Sequence, residues 1–545
     1  MRIREVSMGY YKDLREYLQV LEKKGKLRRV LKRINKDTEL APLVRWQFRG
    51  LPESERTGFL FENLTDGKGK KYNCRVATSV IAATREVYSL AMKCDETEIH
   101  NRWRQAYQHP QPARLVPTGP VKEEIHIGDT LLEHEGLREF AVPMATNGWE
   151  SLPRLTAVCW ITKDIETGVN NIGTYNGYVL GPLRSSMRTF QGHILEHWKK
   201  CRQRGIPLQA AAVIGPVPAV CMVSVTRVPR GLDEMAIAGG IAGEPLDVVK
   251  CKTIDVEVPA SAEIVLEGEI PTDYMEPDPA CGENTGYMII NESVRAFKIK
   301  CITHRKNPIW HDIISQFPPS ESSVIRGTGV EGLMKNFLIN SCGISQVKDV
   351  AFHYSGGGWR ICVIRIQDIG GARTHNSTVW QALTASLSLS VDYPKIAIAV
   401  DEDIDPRDLE SVFWAVAFRY MPHRDTKIIQ GRSATLDQSS APYTLDTEQM
   451  RYPTSLGGPQ GASAILMDAT RKWDYTPVAL PKQHYMERAR EIWNELGFPS
   501  LHPMDPWYGR SLGMWPEEYA HQAELAERGE FDLVAEELMS RGKKI

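Results

Sequence analysis

The chain has 545 residues, 42% of them hydrophobic and 25% charged, the profile of a globular protein long enough for two to four domains. Its 66 Lys and Arg nearly cancel 68 Asp and Glu, leaving a net charge of -2, so no strong field favours nucleic acid or anionic lipid. No apolar run reaches the roughly 20 residues of a bilayer span, MRIREVSMGYYKDL lacks an apolar export signal, and the cysteines form no CxxC pair, so a reduced, cytoplasmic, membrane-free protein is expected.

In chain order, DLREYLQVLEKKGKL (13–27) has apolar residues at helical spacing and closes on Gly25, which predicts a helix. ELAPLVRWQF predicts a second helix, GFLFENL a strand and ATREVYSLAM another helix. This reads as an N-terminal α/β domain over 1–118, ending in the Pro-rich stretch QHPQPARLVPTGP. From 119 to 320 strands dominate: LTAVCWITKD, AAAVIGPV, AVCMVSVTRV, TIDVEVP, AEIVLEGEI and VRAFKIKCITHR are short, β-branched and bounded by Gly and Pro. HILEHWKKCRQRG (193–205) interrupts them as a helix, and the region as a whole predicts a split or partly open β-barrel. A C-terminal α/β domain over 321–455 follows, with VKDVAFHY, ICVIRIQ and KIAIAVDEDI as strands and STVWQALTASLSLS and PRDLESVFWAVAFRY as helices. The last ninety residues (456–545) read as a helical extension whose Trp473, Tyr475, Trp493, Trp507, Tyr508 and Trp515 suit packing or oligomerisation.

The motifs narrow the chemistry. GGG (356–358) and AGGIAG (238–243) lack the spacing of a dinucleotide cradle, and no GK[ST] is present; tight turns account for both. Without G-x-S-x-G or H-E-x-x-H, a serine elbow and a zincin helix have no support. His193 and His197 stand four apart on the predicted helix, a spacing that also suits solvent-facing or capping roles. In the strand-rich middle, NNIGTYNG (170–177), His193 and the Asp233-Glu234 pair offer a mixed N/O ligand set. Such a set suits Mg²⁺, Mn²⁺ or Fe²⁺ better than structural zinc. PDPACGENTGY (277–287) sets Asp278 and Glu283 five apart on backbone that Pro and Gly keep out of a helix. It reads either as a surface turn or as two carboxylates held for proton chemistry.

GGIAGEPLDVVKCKTIDVEVPASAEIVLEGEI (239–270) resembles the signature segment of the UbiD family of decarboxylases. NIGTYNG, GHILEHW, QAAAVIGPVPA, GENTGY, KDVAFHYSGGG and AVDEDIDPRDLESVFWAVAFR resemble its other blocks in the same order, over roughly 10–455. The resemblance implies prenylated FMN, a divalent metal (Mn²⁺ or Fe²⁺) and a monovalent cation (K⁺), with a flavin prenyltransferase supplying the cofactor. It implies that Asn171, His193 and Glu234 hold the divalent metal, that Ser224 lies at the monovalent site, and that Ile172, Tyr175 and Gln191 also contact the cofactor. The implied reaction is the reversible decarboxylation of an aromatic, heteroaromatic or α,β-unsaturated acid, or of its coenzyme A thioester, through a covalent adduct with the cofactor. A homodimer or homohexamer is the implied assembly.

The family commonly pairs two acids through an arginine. Here Glu283 matches the proton donor, as a buried carboxyl beside another acid suits that role, and Asp278 is its partner, one methylene shorter than the usual Glu. The pattern N-x-G-x-Y-R reads Asn171-Ile-Gly-Thr-Tyr-Asn176, so Asn176 stands where the arginine is expected, and an amide cannot neutralise a carboxylate. Three explanations follow. Arg184, Arg188 or Arg227 supplies the charge; the substrate is anchored elsewhere, for instance as a thioester; or the chain is a weakly active or non-catalytic flavin-binding subunit of a larger carboxylase.

Overall fold

The computed structural model describes residues 9–189, 192–226, 228, 231–290, 293–367, 372–433, 436–440 and 462–542. Helix α1 (Leu14–Lys23) starts where the Asp13 side chain accepts the Glu16 N–H at 2.8 Å, and it buries Leu14, Tyr17, Leu18 and Leu21, one face of a 3.6-residue period. After it come β1 (Leu27–Val30), α2 (Leu40–Gly50), β2 (Gly58–Phe61), β3 (Arg75–Thr78), α3 (Arg85–Met92) and α4 (Ile99–Gln108).

The central unit contains β4 (Glu124–Ile127), β5 (Cys159–Lys163), β6 (Asn170–Thr174), β7 (Gly177–Gly181), β8 (Arg184–Met187), α5 (His193–Gln203), β9 (Leu208–Ile214), α6 (Pro218–Ser224) and α7 (Glu234–Ala242). It continues through β10 (Ile264–Ile270), β11 (Met275–Pro277), β12 (Cys281–Gly282), β13 (Met288–Ile289) and β14 (Ser293–His304). Its main sheet runs β6-β5-β9-β10-β14-β8-β7, with β4 and β11 also paired to β14. Strands β6 and β7 lie towards opposite ends of that order, yet Tyr175 and Asn176 alone connect them. Three Cα steps span at most about 11 Å, so the sheet has to curl until its two ends nearly meet. The expected split barrel is present, and its seam lies at Tyr175-Asn176.

Beyond the barrel, β15 (Ile309–Asp312) returns to pair in parallel with β3 and completes the sheet β1-β2-β3-β15. Helix α8 (Glu321–Asn336) then leads to the last sheet, built from β16 (Val347–Phe352), β17 (Ile361–Ile366), β18 (Ile396–Asp401), β19 (Thr426–Arg432) and β20 (Ala462–Asp468) in the order β16-β17-β18-β20-β19. Helices α9 (Ala372–Ser386) and α10 (Leu409–Arg419) accompany it. Glu331 of α8 ties the N-terminal region to the C-terminal one, 2.7 Å from Arg85, 3.3 Å from His100 and 3.0 Å from Arg407. Burial opposes its charge, but Arg407 and Arg85 outweigh burial and hold its carboxyl far below the usual range.

Three local expectations fail. AVCMVSVTRV, expected as a strand, carries helix α6: Pro218 at its first turn fixes a helical φ, and a short all-buried apolar run has no periodicity to decide between the two forms. AGGIAG lies within α7 and at its C-cap rather than in a tight turn. A Cβ on Gly239 or Gly240 would lie 2.4 Å from the Gln111 carbonyl oxygen or 2.7 Å from that of Ala106, so close packing against the end of α4 requires the glycines. In the last ninety residues, β20 is a strand inside the C-terminal sheet; helices α11 (Gln483–Glu495), α12 (Glu517–Glu527) and α13 (Phe531–Ser540) come only after it. GGG does form the expected turn, with φ of +68° at Gly357 and +74° at Gly358. No described helix is long and apolar enough to cross a membrane.

Candidate active site at the barrel seam

The two acids flank the short strand β12. Asp278 follows β11 directly, and Glu283 follows β12, where its N–H donates to the Tyr287 carbonyl (3.0 Å) and its carbonyl accepts the Gly286 N–H (2.9 Å). Gly286 has φ of +97°, a conformation other residues rarely adopt. The loop is anchored from beneath. Gly282 N–H donates to Glu150 Oε1 at 2.8 Å, Arg154 Nη1 donates to Glu150 Oε1 (2.8 Å) and to the Gly282 carbonyl (2.6 Å), and the Tyr178 hydroxyl donates to the Ala280 carbonyl (2.9 Å). Glu150 and Arg154 have fully buried side chains, so the loop rests on a charge pair that is costly to break. PDPACGENTGY is therefore a turn and a carboxylate platform at once.

Arg188 lies between the two acids. Its Nε is 2.9 Å from Asp278 Oδ2 and its Nη1 is 3.4 Å from Glu283 Oε1, with all three residues buried. Burial works against the Arg188 charge, but Cys281, Glu283 and Asp278 raise its hold on the proton above the ordinary value. Since burial pushes the Cys281 thiol up to about 12, that thiol is neutral, and the two carboxylates are the groups that keep the guanidinium charged. The Arg188 N–H donates to the Asn176 carbonyl at 2.8 Å. The position where an arginine was expected and the arginine that meets the acids are thus backbone neighbours at the end of the β7–β8 ladder, beside the seam. Arg184 instead lies 3.2 Å from Glu276 with its side chain half-exposed. Arg227, like Gln191, falls outside the described residues.

On the other side of β6, helices α5 and α7 both begin beside the strand and pack against it. Asn171 is on β6, and His193 and Glu234 are the first residues of α5 and α7. His193 Nδ1 is 3.5 Å from Glu234 Oε1, while Glu234 Oε2 and Asn171 Nδ2 are buried with no hydrogen-bond partner among the described residues. Leaving such groups dry and unpaired costs about 1–3 kcal/mol each. The orphaned Glu234 carboxylate oxygen beside His193 fits a divalent ion, to which Asn171 would add its amide oxygen, not Nδ2; the Asn171 N–H₂ and the two helix N-termini fit a phosphate. A Cβ on Gly173 or Gly192 would lie 2.6 or 2.8 Å from the Tyr175 ring or hydroxyl, so the two glycines give Tyr175 its place. Ile172 alternates away from Asn171 into the core, 4% exposed, which leaves its backbone for any ligand contact. Ser224 shares a 2.7 Å hydrogen bond with Thr174 Oγ1 at the end of β6 and donates to the Cys221 carbonyl at 2.8 Å. His197, the second histidine of the i,i+4 pair, is buried with its Nδ1 3.0 Å from Thr162 Oγ1 and stands apart from the ligand set.

Several contributors escape sequence reasoning. Glu150 and Arg154 have helical i,i+4 spacing but no motif. Arg326 of α8 stands over the Trp359 ring, 5.3 Å from its centroid; burial lowers its hold on the proton and Glu283 counters part of that loss. Residues of the GGG turn reach the same place, since a Cβ on Gly357 would lie 3.2 Å from the Asn284 carbonyl. Arg326 had no local signal, because the approach of α8 to the acid loop is set by packing between distant segments.

Residues 116–318 match the family model UbiD, described as the 3-octaprenyl-4-hydroxybenzoate carboxy-lyase Rift-related domain, and residues 325–452 match UbiD_C, the corresponding C-terminal domain. Among solved structures, the UbiD-class enzyme HmfF from Pelotomaculum thermopropionicum in complex with FMN is 30% identical, with a TM-score of 0.72 over 84% of this chain and 94% of that one. An evolved dimeric form of the same enzyme in complex with prFMN is 29% identical over 86% and 97%, also at 0.72. The closed form of vanillic acid decarboxylase from Sedimentibacter hydroxybenzoicus is 25% identical over 90% and 100%, again at 0.72.

Proposed function

The chain belongs to the UbiD family of carboxy-lyases, and we propose that it catalyses the reversible, non-oxidative decarboxylation of an aromatic, heteroaromatic or α,β-unsaturated carboxylic acid with prenylated FMN at the barrel seam. The observation that carries the proposal is the Asp278–Arg188–Glu283 array, an acid–base pair held by one guanidinium. Asn171, His193 and Glu234 would hold Mn²⁺ or Fe²⁺ against the cofactor phosphate, with K⁺ near Ser224. When bound, the flavin supplies an electron sink for the bond to the departing carboxylate.

The protein's own groups do the rest. Arg188 offsets the repulsion between the two acids and orients Glu283, whose carboxyl is the group placed to deliver or remove the proton at the carbon that loses carbon dioxide. Arg326, close enough to interact with Glu283, offers a second cation for an acidic substrate. We favour a free acid over a thioester, since the charged groups Arg188 and Arg326 converge on the acids. The accessory-subunit reading rested on the absent arginine at position 176; Arg188 supplies the missing charge and speaks against it. Exposed aromatic residues along the tail, among them Trp473, Trp515 and Tyr519, support a homo-oligomer assembled through α11–α13, and the chain's chemistry suits a cytoplasmic enzyme.

The test is anoxic expression with a source of prenylated FMN, followed by assay of carbon dioxide release and isotope exchange across free aromatic acids and their thioesters. Exchange with a free acid is expected; a flavin-loaded protein inert towards every acid and thioester would favour the accessory role. Glu234→Ala should lose divalent metal and flavin together, with affinity falling by more than the ~10–100-fold typical of losing an outer partner of a metal ligand. Metal analysis and the flavin absorption spectrum read this, and a holo-like spectrum in that variant would count against the ligand set.

A further inference from the structure

A second cluster of ligand-type side chains lies away from the seam. His126 on β4, Glu139 at the end of the short helical turn Gly136–Glu139, and His304 at the end of β14 bring one ligand atom each within 4.8 Å of one another. The strand register makes this possible. His126 pairs with Ile302, so His304, two residues on, shares its face of the sheet.

The three groups meet without satisfying each other. His126 Nδ1 is 3.4 Å from Glu139 Oε2 and His304 Nε2 is 3.8 Å from Glu139 Oε1. His126 Nδ1, Glu139 Oε2 and His304 Nε2 are all buried with no hydrogen-bond partner among the described residues. Both histidines are only 4% exposed. The tautomer of His304 sharpens the point: its Nδ1 lies 2.8 Å from the Arg305 carbonyl, an oxygen that can only accept, so Nδ1 carries the proton. Nε2 is then the ring atom left to face the Glu139 carboxylate. A cation between the ring nitrogens and the carboxylate would satisfy all three orphaned atoms at once. A histidine that donates one ring nitrogen to a carbonyl and points the other at a common centre is the usual arrangement of a metal ligand. The His134 ring stacks on His126, 3.9 Å between centroids, and covers it.

The geometry points to a divalent first-row transition ion, zinc foremost, held by His126 Nδ1, Glu139 and His304 Nε2. Tetrahedral bonds of 2.0–2.1 Å put neighbouring ligand atoms about 3.4 Å apart, close to the separations seen. The site is separate from the seam. Strand β14 runs nine residues from Arg295, which pairs with Met187 beside Arg188, to His304, roughly 30 Å of extended chain. None of its ligands belongs to the acid array or to the flavin-side set, and an ion there would staple the 124–139 excursion onto the end of β14.

The experiment uses the full chain in a Glu234→Ala background, which removes the flavin-side ion. After chelation and reloading with Zn²⁺ or Co²⁺, metal analysis should give one equivalent per chain, and Co²⁺ should show the visible d–d bands of a low-coordinate N/O site. His304→Asn in the same background should lose both, and a melting curve checks that this variant folds. Absence of a stoichiometric ion in the parent, or one equivalent retained in a folded His304→Asn protein, overturns the proposal. If His304→Asn fails to fold, the Co²⁺ spectrum of the parent decides: bands of a four- or five-coordinate site support the proposal, and a weak six-coordinate spectrum overturns it.

Discussion

Glu283→Gln should abolish turnover while leaving the flavin in place. Glutamine keeps the length of the side chain and an oxygen able to accept from Arg188 Nη1, now 3.4 Å from Glu283 Oε1, so the loop retains its backbone bonds to Tyr287 and Gly286. What it loses is a transferable proton. General acid–base assistance is worth roughly 10²–10⁴-fold, and with no other carboxyl at that position the expected loss is at the upper end. Carbon dioxide release and hydrogen–deuterium exchange at the product carbon should fall together, while the flavin spectrum and the melting temperature stay near those of the parent. Activity within tenfold of the parent would remove Glu283 from the proton-transfer role. Asp278→Asn offers a graded comparison: Asp278 holds Arg188 through a 2.9 Å contact rather than exchanging the proton, so a smaller loss is expected there.

The two acids were legible in the sequence because five positions on one irregular loop keep them together, whatever the rest of the fold does. On the metal side only one helix start was legible: His193 opens the helix expected over 193–205, whereas the helix that Glu234 opens was hidden because AGGIAG reads as a turn. Arg188 was harder. It meets the acids because β8 and β11 both pair with β14, Met187 and Met275 each opposite Arg295, and such a register is decided by the whole curled sheet rather than by local composition. Arg188 was therefore one of three candidates for the lost charge, with Arg184 and Arg227, until the hydrogen bond between its backbone and that of Asn176 and its contacts with both acids singled it out among the described residues. Helix α6 shows the converse limit. A fully buried apolar segment has no polar face, so its β-branched content suggested a strand while Pro218 and its surroundings made a helix. Distant clusters such as His126, Glu139 and His304 leave no local trace, since two strands and a turn have to be assembled before their ring nitrogens and carboxylate meet.

Arg188 carries the second large expectation, because its charge has been moved rather than lost. Arg188→Gln should leave Asp278 and Glu283 buried without their cation, a change that typically costs about 3–5 kcal/mol when one partner of a buried pair is removed. Part of that cost appears as stability and the rest as lost function, since two adjacent carboxylates with no guanidinium between them repel and one takes up a proton. Activity should fall at least ~100-fold. Arg188→Lys should recover little, because an ammonium is a single point charge and cannot span Asp278 Oδ2 and Glu283 Oε1 as the planar fork does. The decisive variant restores the charge from across the ladder. With the Arg188 N–H already on the Asn176 carbonyl, a side chain at position 176 starts from the same edge of the seam, so Asn176→Arg combined with Arg188→Gln should regain a substantial part of the activity that Arg188→Gln loses. The coupling is read as a double-mutant cycle on kcat/KM, with flavin content and melting temperature followed in parallel. Recovery beyond the sum of the single effects establishes that a cation between the acids is what the reaction requires. Strict additivity, with Arg188→Gln fully active, would mean that the acids work without it and that the guanidinium only holds the loop.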